Sequence, residues 1–402
     1  MPEKKLVPTP FLVKINDKVP VYVANGNNAY ENTVNALKNI DLSPVKGKTV
    51  LLKPNIGRMS KPHTGINTNP EVVAAAIDVF TRAGAEVVIG ESPITGVKTL
   101  EAFELAGITE IAKQRNCPLI DMDERKFVDV NYEKGIAKKD FKVCPEVFEY
   151  DYIISIPVIK MHMHTGVTLS IKNMKGCLWR RSKVVLHMLE QVEGYNEKPL
   201  DIAISDMSAF LRPHLSIIDG STCMEGMGPS AGKPRELGVV IVSADGFAAD
   251  AVACRLMGTC AENIPHLNLG ASRGFGEINL DNIKVFPCDW ENLSQEFISS
   301  PDDISVDFDN VNILDEQSCS ACQSTLMLFL KKYGDILFDY FPDETEVNIA
   351  IGKGHSNVPE NTLLIGNCTI KHKNKGIFVK GCPPVGSEIL MAISDKPYLG
   401  ET

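Results

Sequence analysis

The chain has 402 residues, of which 44% are hydrophobic and 23% charged, and its formal net charge is −10. This is ordinary globular composition, long enough for two or three domains, and its acidic balance argues against a nucleic-acid-binding surface. Its eleven cysteines are too few for a disulfide scaffold, no apolar stretch resembles a signal peptide, and none reaches the ~20 residues of a membrane span. We therefore expect a cytoplasmic protein that contacts neither nucleic acid nor membrane and keeps its thiols reduced.

Strand-like and helix-like segments alternate along most of the chain. Short apolar runs predict strands at 49–53, 86–90, 119–121, 152–157, 215–220 and 239–243. Apolar residues at helical spacing predict helices at 30–40, 71–83, 99–114, 201–210 and 246–256, with Asp245 as the N-cap of the last. The strand–helix–strand succession indicates parallel pairing, so we predict an α/β fold with a mixed, largely parallel sheet and flanking helices.

Changes in composition divide the chain into four parts. Residues 1–45 are predicted to form an N-terminal extension that packs on the core, and residues 46–290 the α/β core itself. Residues 291–310 are polar and acidic, as expected of a linker. Residues 311–402 are predicted to form a small C-terminal α/β unit that carries a four-cysteine metal site.

Four cysteines in this last unit are spaced as metal ligands. Cys319 and Cys322 form a Cys-x-x-Cys pair ahead of a helix-like stretch, Cys368 follows alone, and Cys382 precedes two prolines. Four thiolates suit tetrahedral zinc or an iron–sulfur cluster. A zinc ribbon would show a second Cys-x-x-Cys, whereas a pair with two single cysteines and a following Pro is typical of iron–sulfur sites. The sequence predicts a [4Fe–4S] cluster here, with Zn²⁺ or four unrelated buried cysteines as alternatives.

A basic segment follows the predicted strand 152–157. Between Lys160 and Lys183 there are six Lys or Arg residues, two His residues and no acidic residue. Ligands of open α/β sheets bind beyond the carboxyl ends of strands, so a positive field here suits a small anionic ligand such as a carboxylate or phosphate. Apolar residues between the polar ones indicate a buried segment, with a solvated basic loop as the alternative.

Candidate site residues come from this segment and from two other loops. His162 and His164 alternate along an extended stretch, so their imidazoles face one way and suit proton transfer or metal binding. The other catalytic candidates are Lys172, within the segment, and Glu225, a candidate base in the glycine-rich loop after the strand 215–220. The candidate substrate-binding residues are cationic or amide side chains: Lys53, Asn55, Asn173 and Lys175.

Five segments together resemble the DUF362 family of uncharacterised bacterial and archaeal proteins. They are Leu52–Asn55, Asn67–Val73, Lys160–Gly176, Asp219–Pro229 and Ala244–Asp250. The C-terminal cysteine unit is similar to an extension seen in many members. The resemblance implies a metal-linked, often anaerobic, redox context and supplies no reaction. A fainter similarity, by analogy alone, is to nickel-pincer lactate racemases, in which a His-rich loop with Gly and Lys also follows a strand.

Three functional hypotheses follow. The first is a cytosolic iron–sulfur protein of the DUF362 family, an oxidoreductase with a basic His/Lys cleft for a small anionic substrate and with a redox partner protein. The second is a non-redox isomerase or racemase with a structural zinc or cluster. The third is a cluster or metal carrier, or electron-transfer module, that docks a partner enzyme. A homodimer is one candidate assembly.

Overall fold

The computed structural model describes residues 9–299, 308–342 and 344–394, with the backbone alone at 320 and 321. The chain forms two compact units, Met1–Ser300 and Pro301–Thr402. Each unit has an apolar core of its own.

A large sheet forms the centre of the first unit. The strands of this unit are β1 (Val19–Asn25), β2 (Thr49–Pro54), β3 (Glu86–Glu91), β4 (Leu119–Asp121), β5 (Val128–Asn131), β6 (Asp140–Val143), β7 (Tyr152–Ile156), β8 (Val158–His162), β9 (Gly166–Thr168), β10 (Leu215–Glu225), β11 (Lys233–Ser243) and β12 (Ile283–Phe286). Within the described residues, ten of them form one sheet in the order β12-β1-β11-β10-β7-β2-β3-β4, with β8 beside β10 and β9 beside β8. Its pairings are parallel except for β1–β11, β10–β11 and β8–β9, and β5 and β6 pair separately as an antiparallel hairpin.

Helices flank this sheet. They are α1 (Ala29–Leu37), α2 (Pro70–Arg82), α3 (Thr99–Leu105), α4 (Ile108–Gln114), α5 (Glu146–Glu149), α6 (Ser170–Asn173), α7 (Ser182–Val185), α8 (Pro199–Ser208), α9 (Gly246–Leu256) and α10 (Pro265–Ser272). The predicted α/β class, with a mixed and largely parallel sheet and flanking helices, is confirmed. Asp245 is the N-cap of α9 as predicted, since its Oδ1 accepts hydrogen bonds from the backbone N–H groups of Phe247 and Ala248.

Both faces of the central strands are covered by apolar side chains. On β2, Leu51 joins one core, whereas Val50 and Leu52 join the other. Side chains of a strand alternate between the two faces, so a strand that is buried on both sides has an uninterrupted apolar sequence. This is why short apolar runs were sufficient to predict the central strands.

Two predicted elements differ from the structure. The segment 1–45 is more than an extension packed on the core, because β1 lies inside the sheet between β11 and β12. The single helix predicted for 99–114 is divided into α3 and α4 at Gly107. This glycine has a φ of 77°, in the left-handed region that interrupts an α-helix.

Part of the predicted linker 291–310 packs on the first unit. The backbone N–H groups of Gln295 and Phe297 donate to carbonyl oxygens at the end of α9 and just beyond it, at 2.9 and 3.1 Å. Phe297 and Trp290 are buried in the core of that unit. Residues 291–299 therefore belong to the first unit, while 300–307 lie outside the described residues.

The second unit is a smaller parallel sheet. In the described part of the chain its strands are β13 (Val311–Asp315), β14 (Val347–Ile351), β15 (Thr362–Ile365) and β16 (Gly376–Val379), paired in that order, with the helices α11 (Ser320–Tyr333) and α12 (Gly386–Ser394). Because all four strands run the same way, the loops that follow them lie at one edge of the sheet.

Candidate functional site

The basic segment folds as a short hairpin followed by one helical turn. Lys160 and His162 lie on β8, which continues β7 after one residue, and Lys172 and Asn173 lie on α6. The carboxylate of Asp250, on α9, accepts hydrogen bonds from the first two N–H groups of α6 at 2.7 and 2.9 Å. Asp250 is buried, and its two hydrogen bonds fix the start of α6. They thereby position the side chains of Lys172 and Asn173.

A buried network joins three of the four residues predicted to bind substrate. Lys53 Nζ donates to Glu91 Oε2 at 2.9 Å, to the Pro54 carbonyl at 3.0 Å and to Asn173 Oδ1 at 3.1 Å. Asn55 Nδ2 donates to the same Asn173 oxygen at 3.0 Å. An ammonium group has three donors, and all three are used here. Lys53 therefore has no donor left for a ligand, and its contacts give it a positioning role for Asn173 in place of the predicted substrate contact.

Two further lysines are buried with mainly neutral partners. Lys160 Nζ donates to Asn55 Oδ1 at 2.6 Å and to the Ile66 carbonyl at 2.7 Å. Lys172 Nζ lies 2.9 Å from the Thr168 hydroxyl oxygen. Only 4% of Lys160 and 8% of Lys172 is exposed, so both amines lie in the interior without being sealed from solvent.

Burial lowers the pKa of these amines and of a third. The pKa of Lys160 falls to about 7 and that of Lys175 to about 7, in both cases mainly through burial. The pKa of Lys172 lies well below its ordinary value because of burial and, secondly, the charges of Lys175 and Lys160. We call these three residues the basic pocket. Contacts bring them to one place: Lys172 Nζ is bonded to Thr168, which pairs with Lys160 across β8 and β9, and Lys175 is bonded to His187, whose ring neighbours that of His164.

The basic pocket has an excess of positive groups. Within the described ranges, no carboxylate forms an ion pair with Lys160, Lys172 or Lys175, and Glu91, whose charge raises the pKa of Lys160, is already paired with Lys53. A buried ammonium without a counter-charge is costly, so each amine holds its proton less firmly than an ordinary lysine until an anion compensates it. The arrangement is therefore suited to binding a small anion.

Three histidines lie at this pocket, including one that the sequence analysis did not select. The rings of His162 and His164 are 5.7 Å apart between centroids, and those of His164 and His187 are 6.4 Å apart. His187 Nε2 is hydrogen-bonded to Lys175 Nζ. The pKa values of His162 and His187 lie well below the usual range because of burial and of the neighbouring lysines and histidines. Both imidazoles are therefore neutral at neutral pH, and because His162 Nδ1 accepts the His164 backbone N–H, the hydrogen of that ring is on Nε2.

The predicted extended stretch that would aim His162 and His164 in one direction is interrupted. The strand β8 ends at His162, and His164 lies in the turn before β9, where its backbone N–H donates to His162 Nδ1 at 3.1 Å. The two rings meet edge to face instead of pointing side by side. The turn brings the rings of His162 and His164 together. The alternation of side chains along a strand, on which the prediction was based, does not explain their proximity.

Glu225 has partners outside the basic pocket. It ends β10, and its Oε2 accepts a hydrogen bond from the Ile298 backbone at 3.2 Å and lies 3.6 Å from Arg235 Nη1. The glycine-rich loop after it packs on β8: a Cβ at Gly228 would lie 1.8 Å from the Met161 carbonyl oxygen. The glycine thus permits close packing of two hairpins. These contacts do not support the prediction that Glu225 is a catalytic base.

A buried His–Asp pair lies next to the pocket and has no sequence signal. His266 Nδ1, on α10, is 2.9 Å from Asp201 Oδ1, on α8, and both side chains are buried. His266 Nε2 is buried and has no hydrogen-bond partner among the described residues. The charge of Asp201 raises the pKa of Lys172, which places this pair near the basic pocket. The two residues are 65 positions apart, so spacing could not reveal them.

The four predicted metal ligands lie at one edge of the second unit. Cys319 and Cys322 follow β13 at the start of α11, Cys368 follows β15 and Cys382 follows β16. The buried Cys322 thiol is hydrogen-bonded with that of Cys319, and this bond, burial and the charges of Cys319, Cys368 and Cys382 raise its pKa. The four sulfurs are therefore electrostatic neighbours, and we call them the cysteine cluster.

The chemistry of the cysteine cluster fits a soft metal centre. Four thiols contributed by three loops are a donor set for an iron–sulfur cluster or for zinc. As they stand, no three His, Cys, Asp or Glu side chains in the described ranges converge closely enough to hold a metal ion. Cys322 is buried, Cys319 and Cys382 are half-buried and Cys368 is exposed.

The fold and the site define a class: a two-unit α/β protein with a buried basic pocket in one unit and a cysteine cluster in the other. The chain matches the family described as "Domain of unknown function (DUF362)" over residues 50–255. It therefore belongs to the DUF362 family, as the motifs predicted. No helix in the described ranges has the length and apolar character needed to cross a lipid bilayer.

The individual proteins that this chain is similar to share 29% sequence identity or less with it. The "Thylakoid-associated protein sll1697" of Synechocystis is 29% identical over 219 residues, which cover 54% of this chain and 66% of that protein, just under two thirds of its length. A solved structure from Thermotoga maritima has 16% identity and a TM-score of 0.37, over 58% of this chain and 60% of its own. The lactate racemase apoprotein of Thermoanaerobacterium thermosaccharolyticum has 11% identity and a TM-score of 0.39, over 84% of this chain and 70% of its own. Structural similarity at this level carries no inference about function.

Proposed function

We propose that this DUF362 protein is a redox-linked iron–sulfur protein whose first unit binds a small anionic substrate in the basic pocket. The observation that supports this best is the group of three amines, the buried Lys160 and Lys172 and the half-buried Lys175, without a carboxylate partner in the described residues. A bound carboxylate or phosphate would supply the missing charge and let the amines keep their protons. A redox partner protein and a cytoplasmic location belong to the same proposal.

Each residue at the pocket has a distinct task in this proposal. Lys160, held by two oxygen acceptors, and Lys175 would hold the anion as ammonium groups. His162, whose Nδ1 accepts the His164 backbone N–H, would donate a hydrogen bond from Nε2–H to the bound substrate, and His187 would hold Lys175 in place. Asn173, whose amide is fully hydrogen-bonded to Lys53, Asn55 and Ser155, has no group left for a substrate and would keep Lys53 and Asn55 in place beside the pocket.

The second part of the proposal is that the cysteine cluster holds a [4Fe–4S] centre. Cys319, Cys322, Cys368 and Cys382 would be its ligands, and the centre would supply one-electron transfer when bound. Their place at the ends of three parallel strands supports the proposal because each sulfur then comes from a loop at the same edge.

Isothermal titration calorimetry with oxalate tests the first part. Oxalate is a small anion that does not titrate near neutral pH. We expect Lys160→Met to weaken binding about tenfold or more, since one charged hydrogen bond contributes roughly 1.5–3 kcal/mol. Lys113→Met, at an exposed position on α4, is the matched control and should bind oxalate as the natural protein does. Equal affinity in Lys160→Met, or no binding at millimolar oxalate in the natural protein, would contradict the proposed pocket.

Metal analysis of anaerobically purified protein tests the second part. Iron and acid-labile sulfide should be present with a broad visible charge-transfer absorption, and Cys368→Ala should lose both metal and colour. Cys288→Ala, another exposed cysteine outside the cluster, should keep them. A colourless protein with stoichiometric zinc and no iron would refute the iron–sulfur assignment.

One observation favours a second candidate, a non-redox isomerase or racemase. His266 is oriented by Asp201 near Lys172 and keeps a buried Nε2 that is free for proton transfer in the described structure. Such an enzyme would exchange a substrate proton with solvent without any change in metal oxidation state. Deuterium incorporation into an anionic substrate by zinc-loaded, iron-free protein would favour this candidate over the redox proposal.

A further inference from the structure

The three amines of the basic pocket differ in their hydrogen bonding. Lys160 Nζ donates to two oxygen acceptors, which favour an ammonium group, and Lys175 Nζ is bonded to a histidine nitrogen. Among the described contacts, Lys172 Nζ has a single hydrogen-bond partner, the Thr168 hydroxyl at 2.9 Å, which can donate as well as accept. Lys172 is thus the amine whose surroundings least require it to carry a proton.

Burial and two neighbouring charges favour the neutral form of Lys172. Burial and the charges of Lys175 and Lys160 lower its pKa well below the ordinary value for lysine, against a smaller opposing effect of Asp201, so the form with a free electron pair is more accessible than in an ordinary lysine. A lysine that is desolvated next to another cation is a nucleophile for carbonyl groups. Its 8% exposure leaves the side chain within reach of a small molecule.

We propose that Lys172 forms a Schiff base with the aldehyde or ketone group of a small anionic substrate, such as a 2-oxo acid. The proposal rests on the proposed anion-binding function of the basic pocket and adds a covalent step to it. The substrate carboxylate would lie against the ammonium groups of Lys160 and Lys175, which brings its neighbouring carbonyl carbon toward the third amine.

The step balances without an oxidant or a reductant. The Lys172 nitrogen attacks the carbonyl carbon, a C–N bond forms, and the C–O bond then breaks. The two amine protons leave with the carbonyl oxygen as one water molecule, and the product is an imine. The Thr168 hydroxyl, 2.9 Å from Lys172 Nζ, can donate and accept and so can relay a proton from nitrogen to oxygen. The imine draws electrons from the adjacent carbon and so assists loss of a proton or of carbon dioxide there.

Reductive trapping of the full-length protein tests this proposal. The protein is incubated at pH 7 with glyoxylate, an anionic aldehyde, and sodium cyanoborohydride, then digested and mapped by mass spectrometry. We expect carboxymethyl-lysine at Lys172 at least tenfold above that at the exposed Lys113, and we expect excess oxalate to suppress it. The mapping uses the natural protein, so it does not depend on a variant that folds poorly, and Lys172→Arg should abolish the adduct while keeping a positive charge.

Calorimetry with oxalate under the same conditions separates the two proposals. If oxalate binds but Lys172 is not modified above the exposed lysines, the Schiff-base proposal is wrong and the anion pocket stands. If oxalate does not bind and Lys172 is unmodified, both proposals are wrong. Modification at Lys172 that oxalate does not suppress would also overturn the proposal, because the aldehyde would then react without occupying the pocket.

Discussion

Binding of an anion in the basic pocket should be accompanied by proton uptake. In the free protein the pKa values of Lys160 and Lys175 are each about 7, so each amine is about half protonated at pH 7. A bound dianion raises both pKa values toward their ordinary range, and both amines become fully protonated. We therefore expect an uptake of about one proton for each oxalate bound at pH 7.

The same pKa values fix the direction and size of the pH dependence. The bound state holds more protons than the free state, so oxalate binds more tightly as the pH falls. When two groups of pKa about 7 must both be protonated, the dissociation constant rises about 30-fold between pH 7 and pH 8. Below pH 6 both amines are already charged, and the affinity should level off.

Calorimetry in several buffers of different ionisation enthalpy measures this uptake directly. The slope of the observed enthalpy against the ionisation enthalpy of the buffer gives the number of protons taken up. In Lys160→Met only Lys175 remains to titrate, so the uptake should fall to about half a proton. The control Lys113→Met should keep the full value. A slope of zero, a release of protons, or an affinity that does not change between pH 7 and 8 would refute the assignment of these amines.

Three further predictions concern stability and are measured by urea unfolding. Lys53→Met should lower the free energy of unfolding by about 3–5 kcal/mol, because it leaves the Glu91 carboxylate unpaired where only 2% of that side chain is exposed. Adding Glu91→Gln should recover part of this loss. Equal stability of the single and double variants would argue against the ion pair. Asp250→Ala should lower the free energy of unfolding by about 1–3 kcal/mol for each N–H group of α6 that loses its acceptor. It should also weaken oxalate binding. An unchanged affinity for oxalate would show that the position of α6 does not depend on Asp250. His266→Leu should cost about 1.5–3 kcal/mol by removing the hydrogen bond to Asp201, and an unchanged unfolding midpoint would show that the pair contributes nothing.

The fold was predictable where residues are buried on both faces of the sheet. The apolar sequence of β2, with Val50 and Leu52 on one side and Leu51 on the other, specifies a central parallel strand by itself. The strand β1 was missed because Pro20 interrupts its apolar pattern and cannot donate to a neighbouring strand. Its place in the sheet depends on pairing with β11, more than 200 residues later in the chain, and a local sequence pattern cannot predict that pairing.

The segment that contains the candidate site could be predicted from the sequence, whereas the contacts between its side chains could not. The run from Lys160 to Lys183 contains no acidic residue, so the composition of this segment alone was enough to predict a local positive charge. The pairing of Lys53 with Glu91 depends on β2 and β3 being neighbours, and the role of His187 depends on a later turn of the chain reaching Lys175. Glu225 was predicted to lie in a glycine-rich loop but ends β10, and its contacts with the Arg235 side chain and a backbone N–H come from tertiary packing.

That the three amines of the basic pocket bind a small anion is tested most directly by a crystal structure with selenate, an oxyanion whose selenium atom gives an anomalous signal. We predict an anomalous peak whose oxyanion lies within hydrogen-bond distance of Nζ of Lys160, Lys172 and Lys175, and we predict its loss when excess oxalate is added. Selenate peaks confined to exposed lysines such as Lys113, with none in the basic pocket at saturating selenate, would contradict the proposed function.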